Sequence, residues 1–225
     1  MILKSYIVEQ NINILQNYHA TLIYGKNIGI KNDIKSKIKD NNENSELLTF
    51  FESDLLKGNV LFESISNQSL FSEKRIIVIQ EATEKVFDKI QECLEKENNN
   101  VQIYIFAENL EKKTRLRNLF EKETNLAIFP CYEDNARTLI SYINKELSGF
   151  KGLTGEILNL IIDNSSMDRR IIKNEIEKIK SFFVEKKINK EQTLEILNIR
   201  NDVEFNEIRD KALVGDKSKI NMLLS

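Results

Sequence analysis

The chain has 225 residues, 41% of them hydrophobic, with 33 Lys and Arg against 35 Asp and Glu. That length accommodates one large domain or two small ones with a real apolar core. Basic and acidic residues number 17 and 19 up to residue 132 and 16 each beyond it, so neither half has the cationic excess of a free-standing DNA-binding module.

The N-terminal stretch MILKSYIVEQNINILQ lacks the unbroken apolar core and small-residue cleavage site of a signal peptide. No apolar run approaches the roughly 20 residues of a membrane span, and a cytoplasmic protein is expected. Thr21-Leu22-Ile23-Tyr24 reads as a strand running into Gly25, and Ile30 to Ile38 as a helix. After the polar loop Asp40 to Asn44, Leu47 to Phe51 forms a second strand. Leu55, Leu56, Val60, Leu61 and Ile65 follow at three- and four-residue spacing and predict one helix. Arg75-Ile76-Ile77-Val78-Ile79-Gln80 is a β-branched run without alternation, suited to a strand covered on both faces of a parallel sheet. Val86 to Leu94 is helical, Val101 to Ala107 a fourth strand, Leu116 to Phe120 helical and Leu126 to Phe129 a fifth strand. Strands alternating with helices predict a mostly parallel, three-layer α/β domain.

Beyond Pro130, the single proline, strand signals stop. Ala136 to Leu147, Thr154 to Ile162, Ile171 to Phe183 and Glu191 to Ile199 read as amphipathic helices of a small all-α bundle. Val203 to Ser225 begins a further helix pair, without a closing C-cap glycine or polar tail.

The first strand-turn-helix is where an α/β nucleotide-binding protein places its phosphate loop. A Walker A loop requires G-x-x-x-x-G-K-[ST], with glycine for close backbone approach, lysine for the phosphates and a hydroxyl for Mg²⁺. Counting from Gly25, Lys31 is in register, but Ile30 replaces the second glycine and Asn32 the hydroxyl residue. The third strand ends Gln80-Glu81, with an amide where a metal-binding acid is needed first. The phosphate loop is therefore expected to be degenerate and without function. Cys93, Cys131 and the single histidine, His19, are too few for a structural zinc site or a disulfide framework. No motif gives His19 a nucleophilic partner, and Glu52 and Asp54 read as solvated loop residues or helix caps. Lys112-Lys113-Thr114-Arg115-Leu116-Arg117 is the densest positive stretch, either a solvated helix start or a phosphate contact.

Asn67-Gln68-Ser69-Leu70-Phe71-Ser72-Glu73-Lys74-Arg75 places two adjacent large apolar residues in a polar connection. Burying each is worth roughly 1.5–3 kcal/mol, so both call for cover. They either tuck under their own helix or plug a pocket of another protein, the anatomy of a binding hot spot.

These features in this order resemble the delta subunit of the bacterial DNA polymerase III clamp loader. The resemblance rests on Leu22-Ile23-Tyr24-Gly25, on Gln68-Ser69-Leu70-Phe71-Ser72-Glu73-Lys74-Arg75-Ile76-Ile77 and on Glu111 to Glu121. It extends to Pro130-Cys131-Tyr132 leading to Ala136-Arg137, and to Asp168-Arg169-Arg170 leading to Asn174 through Ile179. It implies an AAA+-like α/β clamp-binding domain over residues 1–132, a helical lid over 133–200, and the beginning of a truncated helical collar over 201–225. It further implies that Leu70 and Phe71, with Gln68 and Ser69 beside them, bind the β sliding clamp. Docking would hold the ring open for loading on primed DNA. ATP would be hydrolysed by neighbouring subunits, leaving this one without a cofactor, metal or active site inside a DNA-directed DNA polymerase, a nucleotidyltransferase complex. The implied partners are the clamp and the tau/gamma and delta prime subunits, with primed DNA bound only within the complex. With the collar incomplete, assembly is expected to be poor, and the isolated chain should bind duplex DNA weakly. Two other readings stay open: a divergent P-loop ATPase using Lys31, and an AAA+-derived scaffold for another partner.

Overall fold

The computed structural model describes residues 1–66, 74–95, 98, 100–197, 209–215 and 217. The chain divides into two compact units, Met1–Asp134 and Asn135–Ser225.

The first unit opens with α1 (Ser5–Gln10) and a 3₁₀ turn over Ile12–Asn17. There follow β1 (Ala20–Tyr24), α2 (Ile28–Asp40), β2 (Glu46–Phe51), α3 (Glu52–Lys57), α4 (Val60–Ser66) and β3 (Arg75–Ala82). After a 3₁₀ turn at Glu84–Val86 come α5 (Phe87–Leu94), β4 (Val101–Ala107), α6 (Arg115–Lys122) and β5 (Leu126–Pro130). All five strands are parallel, in the order β2-β3-β4-β1-β5.

Right-handed crossovers decide which face each helix covers. The chain leaves β1 in one direction, past β4 and β3 to β2, and then returns strand by strand in the other. The outgoing helix α2 therefore lies on one face, and α3 to α6 on the other. The side chains agree. Ile30, Ile34 and Ile38 of α2 pack with Ile23, Ile76, Val78, Tyr104, Phe106 and Phe129. Leu55, Leu61, Ile65, Phe87, Ile90, Leu116 and Phe120 pack with the alternate strand residues Leu22, Ile77, Ile79, Ile103, Ile105 and Ile128. Strands covered on both faces explain the unbroken apolar runs of β1, β3, β4 and β5. On β2, burial alternates instead, leaving Leu47 and Phe51 partly exposed.

Three features depart from the sequence expectation. The helix predicted across Leu55 to Ile65 is two helices, broken where Gly58 takes an extended conformation (φ −166°, ψ −164°). The N-terminal α1 and its 3₁₀ turn are too short to give a period, although Val8 and Leu15 from them are buried. Residues 1–3 also run parallel to β5: the Leu3 N–H donates to the Ile128 carbonyl (2.8 Å), and the Ile128 N–H to that of Met1 (2.9 Å).

The second unit has α7 (Ala136–Glu146), α8 (Gly155–Asn164), α9 (Arg169–Phe182) and α10 (Lys190–Ile196). Each begins at a capping side chain: Asn135, Thr154, Asp168 and Asn189 accept from the amides of Thr138, Ile157, Arg170 and Gln192. Leu139, Ile143, Ile157, Ile161, Ile172, Ile176 and Ile179 form the centre of its core. Most of residues 201–225, the predicted collar start, lie outside the described residues.

Candidate functional site

In open α/β sheets, ligands bind outside the carboxyl ends of the strands, where neighbouring connections leave toward opposite faces. Here that place is between β1, which feeds α2, and β4, which leads to α6 on the other face. The turn after β1 is only three residues long, Gly25-Lys26-Asn27, because α2 already begins at Ile28. It is drawn in on both sides. The Gly25 amide donates to the Glu108 carbonyl beyond β4 (3.1 Å), and the Asn27 amide to the Cys131 carbonyl beyond β5 (3.2 Å). Gly25 has φ +131°, and a Cβ there would stand 2.3 Å from the Cys131 oxygen, so the close approach requires glycine.

Asn27 closes the turn. Its Oδ1 accepts from the Ile30 N–H (3.0 Å), while its Nδ2 donates to the Tyr132 carbonyl (3.1 Å) and to Asp134 Oδ2 (2.7 Å). The residues expected to form the degenerate phosphate loop thus lie mostly inside the first turns of α2. Ile30 does not project across the loop; it is buried in the core beneath α2. Asn32 is exposed, and the Lys31 amine donates to the Ala107 carbonyl at the end of β4 (3.2 Å). One turn further, Lys35 Nζ donates to Gln80 Oε1 (2.6 Å) and stands 5.3 Å from the centre of the Phe106 ring. Burial, with the Lys31 charge adding to it, lowers the Lys35 pKa below the usual amine range, while Glu81 acts to raise it. At the end of β3 the ladder is irregular, and Glu81 has φ +58°. The Gln80 carboxamide thus sits against a lysine where the Walker pattern has a metal-binding acid.

The basic stretch around Arg115 is held in ion pairs. Arg115 Nε lies 2.9 Å from Glu84 Oε1, its Nη1 3.0 Å from Asp88, and its guanidinium covers Phe87 at 4.3 Å. Glu84 also accepts from the Arg115 and Leu116 amides (3.0 and 3.3 Å), capping α6 from outside the helix. Arg117 pairs with Glu121 at 2.7 Å and lies 5.1 Å from the Tyr24 ring. Asp54 caps α3 through the Phe51 amide (2.9 Å), and Glu52 accepts from the Thr83 amide and hydroxyl. Cys93 and Cys131 are both buried, and His19 joins the ladder through its backbone. Among the described residues no three His, Cys, Asp or Glu side chains are grouped to hold a metal ion.

The other predicted site falls between α4 and β3 in the sequence. Gln68, Ser69, Leu70 and Phe71 lie outside the described residues, whereas the elements that bracket them, α4 and β3, lie within. The Arg75 amide donates to the Asn100 carbonyl (2.8 Å), and the Lys74 carbonyl accepts from the Glu46 amide (3.0 Å). The buried Arg75 side chain pairs with Glu46, and its Nη1 donates to the Ser64 carbonyl in the last turn of α4. Asn98 Nδ2 donates to the neighbouring Ile65 carbonyl (3.1 Å). A polar cavity of about 260 Å³ opens beside these residues, lined among others by His19, Asn42, Lys74, Asn100 and Gln102. Arg75 is a structural centre that its neighbours in sequence do not announce. The available signal was a cation opening an otherwise apolar buried strand.

The geometry defines a class: a parallel five-stranded α/β domain flanked by helices, with its switch-point turn shortened and internally hydrogen-bonded, followed by a helical unit. No family model matches the chain, and no curated protein matches it. Among solved structures it is similar in fold to the DNA clamp loader delta protein (YqeN) of Bacillus subtilis. The TM-score is 0.69 at 14% sequence identity, over 98% of this chain and 70% of that one.

Proposed function

We propose that the chain acts as the delta-type subunit of a clamp loader in DNA replication. It binds the β sliding clamp through Leu70 and Phe71, with Gln68 and Ser69 at their flank, and holds the ring open for loading on primed DNA. The observation that carries this reading is the fold likeness to a clamp loader delta protein across both units of the chain. The Ser69-Leu70-Phe71 sequence between α4 and β3 supports it independently. Binding can shift a ring from closed to open only through higher affinity for the open form, and two apolar anchors supply that affinity in one compact contact.

The subunit leaves ATP hydrolysis to its neighbours. Supporting this are the three-residue turn at Gly25, the Asn27 cap on Ile30, and Lys31 turned onto Ala107. In this reading the α/β unit is the clamp-binding domain, the helical unit serves as a lid, and residues from 201 begin the collar. The tau/gamma and delta prime subunits are its partners, and primed DNA is met only within that polymerase complex in the cytoplasm. No described helix is long and apolar enough to cross a membrane.

Release of a clamp already closed around nicked circular DNA tests the proposal. Adding the chain without ATP should accelerate release, and Leu70→Ala/Phe71→Ala should abolish the effect. Unchanged release with the folded wild-type chain would overturn it.

A further inference from the structure

The cavity at the amino ends of β1, β3 and β4 lies at the opposite end of the sheet from the Gly25 turn, and the proposed function makes no use of it. Four stretches far apart in sequence line it: residues 16–19 before β1, Asn42 beyond α2, residues 74–76 entering β3 and residues 100–102 entering β4.

Hydrogen bonds within the chain build these walls. Gln102 interrupts the otherwise buried β4, where a polar group needs partners. Its Nε2 donates to the Leu15 carbonyl (2.9 Å) and the Tyr18 carbonyl (2.6 Å), pinning the end of the 3₁₀ turn to the sheet. Asn42 Nδ2 donates to the Ile38 carbonyl in the last turn of α2 (2.7 Å). The Arg75 amide donates to the Asn100 carbonyl (2.8 Å), and the Ile103 amide to that of His19 (3.2 Å). A ligand would therefore enter a recess that is already formed.

The lining also selects by charge. The chain carries 35 Asp and Glu, yet none of the described residues lining this cavity is acidic. Glu46 meets the charge of the buried Arg75 at 2.7 Å, whereas Lys74 is exposed and brings a positive charge to the cavity. Gln102 spends both amide hydrogens on the turn, so it serves as wall; the His19 imidazole and the Asn42 and Asn100 amides supply donors. At about 260 Å³ the space falls just short of the roughly 300–1,000 Å³ of sites for drug-sized ligands. It suits a small ion with its water, or one terminal group of a larger molecule.

We propose that this cavity binds a small oxyanion of the phosphate type, with Lys74 as counter-charge and His19, Asn42 and Asn100 as hydrogen-bond donors. The proposal does not depend on the clamp-binding reading.

His19 is the only histidine, so its ring proton gives one resolved NMR signal inside the cavity. The full chain is titrated with inorganic phosphate at constant pH and ionic strength, chloride being the compensating ion. The His19 signal should shift saturably, with a dissociation constant on the order of 1 mM or tighter. Lys74→Gln should weaken binding about tenfold, the effect of losing a charged partner, and Lys74→Arg should retain it. Urea unfolding checks that each variant keeps its fold. Adenosine monophosphate is titrated in parallel. A matching His19 shift assigns the site to a terminal phosphate group, and a shift with inorganic phosphate alone assigns it to the free ion. No saturable shift with either ligand overturns the proposal, as does equal affinity in wild type and Lys74→Gln. If Lys74→Gln does not fold, Asn100→Ala takes its place: weaker phosphate binding supports the site, and unchanged binding overturns it.

Discussion

Asn27 and Asp134 meet across the carboxyl edge of the sheet, with Nδ2 of the amide donating to Oδ2 of the carboxylate over 2.7 Å. The same amide caps α2 through its oxygen, so one side chain ties the turn after β1 to the segment beyond β5. Asn27→Ala removes the cap and two further hydrogen bonds together. The expected loss is about 2–3 kcal/mol of stability, the sum of a helix cap and a partly buried polar contact. Urea unfolding measures it, and a loss below roughly 0.5 kcal/mol would contradict the assigned role.

Lys31 is the residue on which the ATPase reading depends. Its amine donates to the Ala107 carbonyl. Titration with millimolar Mg-ATP should give no saturable heat, and Lys31→Met should change stability by about 1 kcal/mol or less, the worth of one hydrogen bond. Saturable ATP binding that disappears in Lys31→Met would restore the P-loop reading and remove the proposed division of labour.

A pH dependence is expected in the helical unit. Hydrogen bonds from the Arg170 side chain and backbone lower the Asp168 carboxyl from 3.8 to about 2. A depressed carboxylate pKa contributes stability that is present above the unfolded value and lost as pH falls through the folded one. The pair is open to solvent, so screening keeps its contribution small. Asp168→Asn keeps an acceptor for the cap and cannot titrate. Thermal unfolding between pH 4 and pH 2 should therefore fall less steeply in Asp168→Asn than in the wild type, and equal slopes would contradict the assignment.

Much of the fold is legible in the sequence because its signals are local. The β-branched run at Ile76 to Ile79 announces a strand covered on both faces, and Asn135, Thr154, Asp168 and Asn189 stand where helices begin. The break at Gly58 is less visible, since the apolar spacing from Leu55 to Ile65 continues across it. At the candidate sites, long-range partners set the limits. The Walker-like spacing from Gly25 places Lys31 in register, but only the positions of Glu108, Cys131 and Asp134 reveal the turn's shortening and internal bonding. Arg75 is equally opaque in sequence, because Ser64 and Glu46 come to it through the packing of α4 and β2.

The most direct test of the central claim is the affinity of the purified chain for the sliding clamp of the same organism, measured beside Leu70→Ala/Phe71→Ala. The wild type should bind saturably, and a double variant that keeps its cooperative unfolding transition should lose that binding by about a hundredfold or more. Equal binding by both chains, or none by a folded wild type, would contradict it.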